Sequence, residues 1–229
     1  MLFKVLYEDN HLLVVNKSAG VLVQGDETGD VPLVELCKEY IKKKYNKPGA
    51  VFLGVVHRLD RPVSGVVVLA RTSKALERMN ALFRDRETKK IYLAIVRRKP
   101  ANEQDTLIHW LKKDEKKNKT TAFTRETGDA LRSELSYQII GHAAGHWLLE
   151  VNPITGRPHQ IRVQLASINC PIKGDLKYGD DEPNEDGSIC LHARALEFIH
   201  PVKKEALICK APVPDVAFWK HFSKLVADG

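Results

Sequence analysis

"VVHRLDRPVSGVVVLA", residues 55–70, sets two short apolar runs around a connection that carries more charge than a turn needs. Residues 55–56 and 66–70 read as buried strands, because short β-branched runs bounded by turn residues suit a covered sheet. Between them stand His57, Arg58, Asp60 and Arg61, then Pro62, Ser64 and Gly65. Pro and Gly suffice to turn a chain. One carboxylate among two guanidiniums and an imidazole is surplus to that job and marks a candidate site. Asp60 has two readings from sequence. It can pair with Arg58 or Arg61 and tie down the turn. Alternatively it is a nucleophile or base kept ionised by a cation, since Arg beside a carboxylate lowers its pKa by roughly 1–3 units.

Working outward, "FKVLYE" and "LLVVN" read as strands across a polar "DNH" turn. "VPLVELCKEYIKKKY" puts Leu33, Leu36, Cys37, Tyr40 and Ile41 on one helical stripe, with Pro32 acceptable in the first turn. "TSKALERMNALFRDR" predicts a second helix, with Thr72 or Ser73 as N-cap and Leu76, Met79 and Phe83 facing inward. "KIYLAIVRR" has strand composition, and the lysine-rich residues 112–119 suit an exposed loop or hairpin tip. "ELSYQII" and "HWLLEVN" flank the turn "GHAAG". "HQIRVQLASI" places Ile161, Leu165 and Ile168 at helical spacing, and "LHARALEFIH" and "EALICKA" are further strands. "DVAFWKHFSKLVA" predicts a closing amphipathic helix capped by Asp215, with Trp219 and Phe222 buried. Strands outnumber helices, and no repeat or Gly/Ser-rich linker interrupts them. The expectation is one α+β domain over residues 1–229.

The chain's 229 residues are long enough to bury a substantial core, and 43% hydrophobic with 28% charged residues excludes a disordered chain. No apolar run approaches the roughly 20 residues of a spanning helix, and the start, "MLFKVLYEDN", lacks the pattern of a secretory signal. A cytoplasmic protein with no membrane partner is expected. Cys37, Cys170, Cys190 and Cys209 form no C-x-x-C pair, which predicts reduced, buried thiols and no zinc site. Basic residues crowd 38–47, 89–99 and 112–119, and acids crowd 179–186. Such a one-sided distribution, with a net charge of +7, suits a polyanion. The plainer reading is a set of solvated faces.

Several chemistries lack their parts. His57 and Asp60 have no third metal ligand at helical spacing, and "PVSG" supplies only the last Gly of a nucleophile elbow around Ser64. No phosphate-binding glycine loop is present. A second constellation stands in "NPITGRPHQIRVQLA", where a turn containing Arg157 leads into a helix with Gln160, Arg162 and Gln164 around an apolar stripe. His159, at its start, reads as a hydrogen-bonding residue. Arg162 lies between Ile161 and Val163, and buried arginines are rare without an anionic partner. Asp60 could be that partner.

"HRLDRPVSGVVVLART", "KKIYLAIV", "TGRPHQIRVQLA", "CPIKGDLKYG" and "LHARALEFIHP" occur in the order seen in RluA-type pseudouridine synthases. "EDNHLLVVNKSAGVLVQ" resembles their first strand pair, so the resemblance runs from about residue 5 to 212. It implies a pseudouridine synthase catalytic domain, with a central, mostly antiparallel sheet, flanking helices and an active-site cleft. By resemblance Asp60 is the essential aspartate, Tyr92 packs against the target uracil, and Arg162 is the basic residue that pairs with the aspartate. Arg58 matches the arginine associated with the space left by a flipped base. His57, Arg61, Arg157, His159 and Gln160 are implied as substrate-binding neighbours. Ser18, Val63 and Pro158 depart from the usual Pro, Thr, and Thr or Ser, none of them at a catalytic position.

The implied reaction breaks the N1–C1′ bond of a uridine, turns the base and joins C5 to C1′. Nothing is oxidised and no group is donated, so no cofactor and no metal is expected. The target must leave its stack, at a cost of a few kcal/mol. The expected partner is a structured RNA, a tRNA or rRNA stem-loop, and the expected state is a monomer. Because the first strand starts at residue 3, an N-terminal S4-type domain is not expected. The alternative, a non-catalytic RNA-binding or RNA-folding protein on the same domain, predicts loss of Asp60, Tyr92 or Arg162, and all three are present.

Overall fold

β1 (Phe3–Glu8) and β2 (Leu12–Lys17) form an antiparallel hairpin in the computed structural model, which describes residues 2–227. Asp9 makes the turn by accepting the N–H groups of His11 and Leu12, both at 2.8 Å. α1 (Leu33–Lys44) follows, and buries Leu33, Val34, Cys37 and Ile41, whereas Leu36 and Tyr40 stay half-buried. The two apolar runs of the opening stretch become β3 (Gly54–Val55) and β4 (Ser64–Ala70), antiparallel to each other. β4 is buried at every position and pairs with β2 from Leu12↔Ala70 to Lys17↔Gly65. α2 (Ser73–Arg84) starts on Thr72, whose hydroxyl accepts the N–H of Ala75 at 3.1 Å. It buries Ala75 and Met79 against Leu12, Val14, Val66 and Val68, and Leu76 and Phe83 pack at the margin.

β5 (Lys89–Val96), β6 (Gln104–Asp114), β7 (Lys119–Phe123), β8 (Leu131–Ala143) and β9 (His146–Pro153) lie in the order β5-β9-β8-β6-β7, with every neighbour antiparallel. The lysine-rich stretch is therefore a hairpin with its tip at 115–118. The turn expected over "GHAAG" contracts to Ala144 and Gly145. Both have positive φ, 50° and 70°, which matches the twist of a two-residue hairpin, so β8 runs on through Ala143. α3 (Gln160–Ser167) comes next, then a 3₁₀ turn at Leu176–Tyr178, β10 (Leu191–Ile199) and β11 (Ala206–Lys210).

α4 (Ala217–Lys220) and α5 (Ser223–Ala227) replace the single closing helix that the sequence predicts. Trp219 and Phe222 are buried as expected, but Phe222 donates its N–H to the carbonyl of Trp219 and His221 to that of Phe218. These three-residue bonds tighten the chain and interrupt the α-helix. Asp215 is not the cap. It pairs with Lys220, and Val216 occupies the cap position without a side-chain bond.

The fold class is α+β, and the pairs β1–β2, β2–β4, β3–β4 and β10–β11 and the run β5-β9-β8-β6-β7 are antiparallel. The chain up to Lys89 with Ala193–Pro212 makes one compact unit, in which β4 lies between β2 and β10, and β11 pairs with β10. Lys90–His192 with the chain from Val213 onward makes the other. Among the described residues no helix is long and apolar enough to cross a membrane.

Candidate active site

β3 is only two residues long, and that shortness builds the Asp60 loop. Its pairing with β4 stops at Val55↔Leu69, and the next inward N–H on β4 belongs to Val68. His57 Nε2 accepts that N–H at 3.1 Å, so an imidazole continues the ladder where the strand leaves it. An accepting Nε2 fixes the neutral tautomer with the proton on Nδ1. The ring also stacks on Phe83, with centroids 4.8 Å apart and an 18° tilt. From this anchor the chain leaves the sheet. Arg58 is exposed, Leu59 is buried, and Asp60 is half-buried with its carbonyl accepting the N–H of Val63 at 3.0 Å. Gly65 returns the chain to β4 at φ 120°, a value that favours glycine.

Lys17 closes the loop from beneath. It is 0% exposed, and its ammonium donates to the carbonyls of Ser18 (3.1 Å), Val21 (2.8 Å) and Arg61 (3.3 Å). Burial pulls its pKa down to about 7, against the charge of Asp60, which raises it. Arg61 points elsewhere: its guanidinium donates to the carbonyl of Gly20 at 3.1 Å and pairs with Asp30 at 2.7 Å.

Tyr92 stands half-buried on β5 opposite Val151 of β9. Arg162 lies on α3, a helix buried on all sides from Gln160 to Leu165. Ile161 and Leu165 of the expected stripe are buried and Ile168 is half-buried, and Gln160, Arg162 and Gln164 around them are inside as well. Gln160 Oε1 accepts from the Thr155 hydroxyl (2.8 Å) and the N–H of Arg157 (3.0 Å), while Nε2 donates to the Glu134 carbonyl (3.0 Å). Its amide is a clamp for the turn ahead of the helix. Arg157 is half-buried within that turn. His159 begins the helix at φ 54°, and its Nδ1 lies 2.7 Å from the hydroxyl of Tyr178.

Arg162 is 5% exposed and donates from Nε to Asp175 Oδ2 at 2.7 Å and from Nη2 to Oδ1 at 2.8 Å. Its Cζ lies 5.0 Å from the centre of the Tyr178 ring. Burial of the guanidinium is thus already offset by a two-pronged carboxylate. The need for an anion alone no longer points to Asp60.

Asp60, Arg61, His57 and Lys17 belong to one unit; Tyr92, Arg157, His159, Gln160, Arg162, Asp175 and Tyr178 belong to the other. Sequence reasoning missed Lys17, Asp175 and Tyr178. The signals were a lysine closing an apolar strand run in "LLVVNK" and an acid beside a glycine in "KGDLKYG".

A sequence profile of the RNA pseudouridylate synthases matches residues 11–167. The ribosomal large subunit pseudouridine synthase C of Vibrio cholerae is 31% identical over 91% of this chain, which spans 65% of that relative's length. The protein of the same name from Buchnera aphidicola is 31% identical over 99% of this chain and 72% of its own. Among solved structures, human RNA pseudouridylate synthase domain containing 4 superposes with a TM-score of 0.77 at 25% identity, covering 97% of this chain and 92% of that one. Domain containing 1 of the same human series gives 0.74, also at 25% identity, over 93% and 84%. The profile match takes in the Asp60 loop, Tyr92 and Arg162 together, and on that ground the chain belongs to the RNA pseudouridylate synthase family.

Proposed function

We propose that this protein is an RNA pseudouridine synthase that isomerises specific uridines in structured RNA, with residues 1–229 acting as one catalytic domain. The observation that carries the proposal is the mounting of Asp60. It stands on a loop held at its base by a buried lysine and at its entry by a histidine that substitutes for a strand. Ordinary turns need neither.

In this reading the Asp60 carboxylate acts on the sugar of a flipped uridine while the N1–C1′ bond breaks. The detached uracil is held against the Tyr92 ring as it turns. C5 then bonds to C1′, the C5 proton leaves, and N1 gains a proton, so atoms balance without any cofactor or metal. Arg162 supplies positive charge to the anionic reaction centre. Arg58, exposed at the loop, and Arg157 contact the RNA. His57, Arg61, His159 and Gln160 shape the loops that carry these groups.

The relatives' names concern the large ribosomal subunit, which makes rRNA the first substrate to test, with tRNA as the alternative. A cytoplasmic monomer suits this work. Pseudouridine maps of rRNA and tRNA from cells with and without the gene test the proposal. One or a few sites should disappear with the gene, and identical maps would refute it.

A further inference from the structure

Residues 173–180, "KGDLKYGD", make a clip whose side chains close on the Arg162 guanidinium from two directions. We propose that Asp175, backed by Tyr178, is a positioning residue for the reaction: it sets the plane and rotation of the Arg162 guanidinium. This rests on the role given to Arg162 above.

Three observations support it. First, the contact is two-pronged and almost fully enclosed, with the Asp175 side chain 1% exposed and that of Arg162 6%. A guanidinium carries five N–H donors in a rigid plane. Asp175 takes Nε–H and one hydrogen of Nη2 along one edge of that plane, so the remaining three N–H bonds point away from it. Second, Tyr178 covers one face of the same group. Its hydroxyl accepts the N–H of Thr120 on β7 at 2.8 Å and meets His159 Nδ1 at 2.7 Å, so the ring is fixed at its far end.

Third, the clip is fastened to the strand that bears Tyr92. Ile172 bridges Val96, and Lys173 donates its N–H to the carbonyl of Ile95 at 2.9 Å. The carbonyl of Asp175 accepts the N–H groups of Tyr178 and Asp180, both at 3.1 Å, and the Asp180 carboxylate accepts the N–H of Gly174 at 2.7 Å. Asp180 in turn pairs with Arg97, the residue after β5. Gly174 has φ 89°, and a Cβ there would lie 2.5 Å from Asn184 Nδ2 and 2.7 Å from the Ser188 carbonyl. A plain counter-ion for a buried arginine needs none of this indexing to β5.

The test uses the full chain and bulk RNA from cells lacking the gene, labelled with [5-³H]uridine, so that every native target is present unmodified. Tritium release under single-turnover conditions reads the chemistry, and filter binding of the same RNA reads affinity. Asp175→Asn should slow the step about 10²-fold, the scale of a small misplacement of a reacting group, with RNA affinity within about threefold. Asp175→Glu should recover part of the rate. A folded Asp175→Asn enzyme within about threefold of the wild-type rate would make Asp175 a counter-ion only and overturn the proposal.

Arg162→Lys separates the two layers. If it has the wild-type rate, the role of Arg162 itself fails; if it is slow while Asp175→Asn is not, only the positioning claim fails. Should Asp175→Asn not fold, the wild type still decides. The ¹⁵N-labelled Nε–H of Arg162, assigned by its loss in Arg162→Lys, should be shifted and slow to exchange. A signal averaged with the surface arginines would overturn the proposal.

Discussion

Lys17 carries an ammonium into the interior at the end of β2, with three carbonyl oxygens around it. A buried acceptor deprived of its donor costs about 1–3 kcal/mol, and Lys17→Met would strand those of Ser18, Val21 and Arg61 together. The substitution should therefore cost about 3 kcal/mol or more, read as a lower urea midpoint with an unchanged slope. Its pH dependence has a definite sign. Unfolded, the lysine holds its proton up to its ordinary value of 10.5; folded, burial lowers that to about 7. Between these values the unfolded chain binds one proton more than the folded one, so stability rises with pH. The gap between wild type and Lys17→Met should widen from pH 7 to 10, measured by denaturant midpoints across that range. A constant gap would mean that the folded lysine keeps its proton. At this scale the sequence made Asp60 conspicuous through its neighbours' charge. Lys17 was not, because a lysine closing an apolar strand, as in "LLVVNKSAG", reads equally well as a solvated strand end.

Elements whose polar and apolar faces separate were legible; those that bury polar side chains were not. α2 shows its stripe and its Thr72 cap in plain sequence. β6 alternates correctly, with Leu107, His109 and Leu111 buried, but its middle member is a histidine that conceals the pattern. That histidine lies 3.1 Å from both Gln164 Nε2, a buried polar group of α3, and the hydroxyl of Ser167, which is exposed at the end of that helix. A sheet position can be equally strict for backbone reasons. At Gly65 a Cβ would lie 2.3 Å from the carbonyl oxygen of Ala193 and 2.6 Å from its nitrogen, at a φ that L-residues avoid. Gly65→Ala must push β4 from the backbone of β10, and should cost about 3 kcal/mol or more. Thermal unfolding with bound RNA absent checks this, and a midpoint within a degree or two of wild type would contradict the packing described.

Over the whole molecule, the positive runs are less one-sided than their sequence implies. Lys38 pairs with Glu35, Lys89 with Glu197, Arg97 with Asp180, Lys99 with Glu103 and Lys112 with Asp129. Each pair removes part of the field that the clusters at 38–47, 89–99 and 112–119 promised. RNA affinity should still fall with salt, with a log–log slope of about −0.7 to −0.9 for each phosphate neutralised. The paired residues should contribute less than Lys42, Lys43, Lys116 and Lys117, which charge-neutralising variants can compare. Equal loss from both sets would mean that RNA displaces the local acids. The central claim is that one carboxylate performs the chemistry, and Asp60→Asn removes its charge while keeping its volume. The direct measurement is the single-turnover rate of tritium release from [5-³H]uridine-labelled RNA at saturating protein. Asp60→Asn should bind that RNA as wild type does and lose about 10⁴-fold or more in rate, on the scale of removing a principal catalytic group. Pseudouridine formation near the wild-type rate by a verified Asp60→Asn preparation would contradict the account.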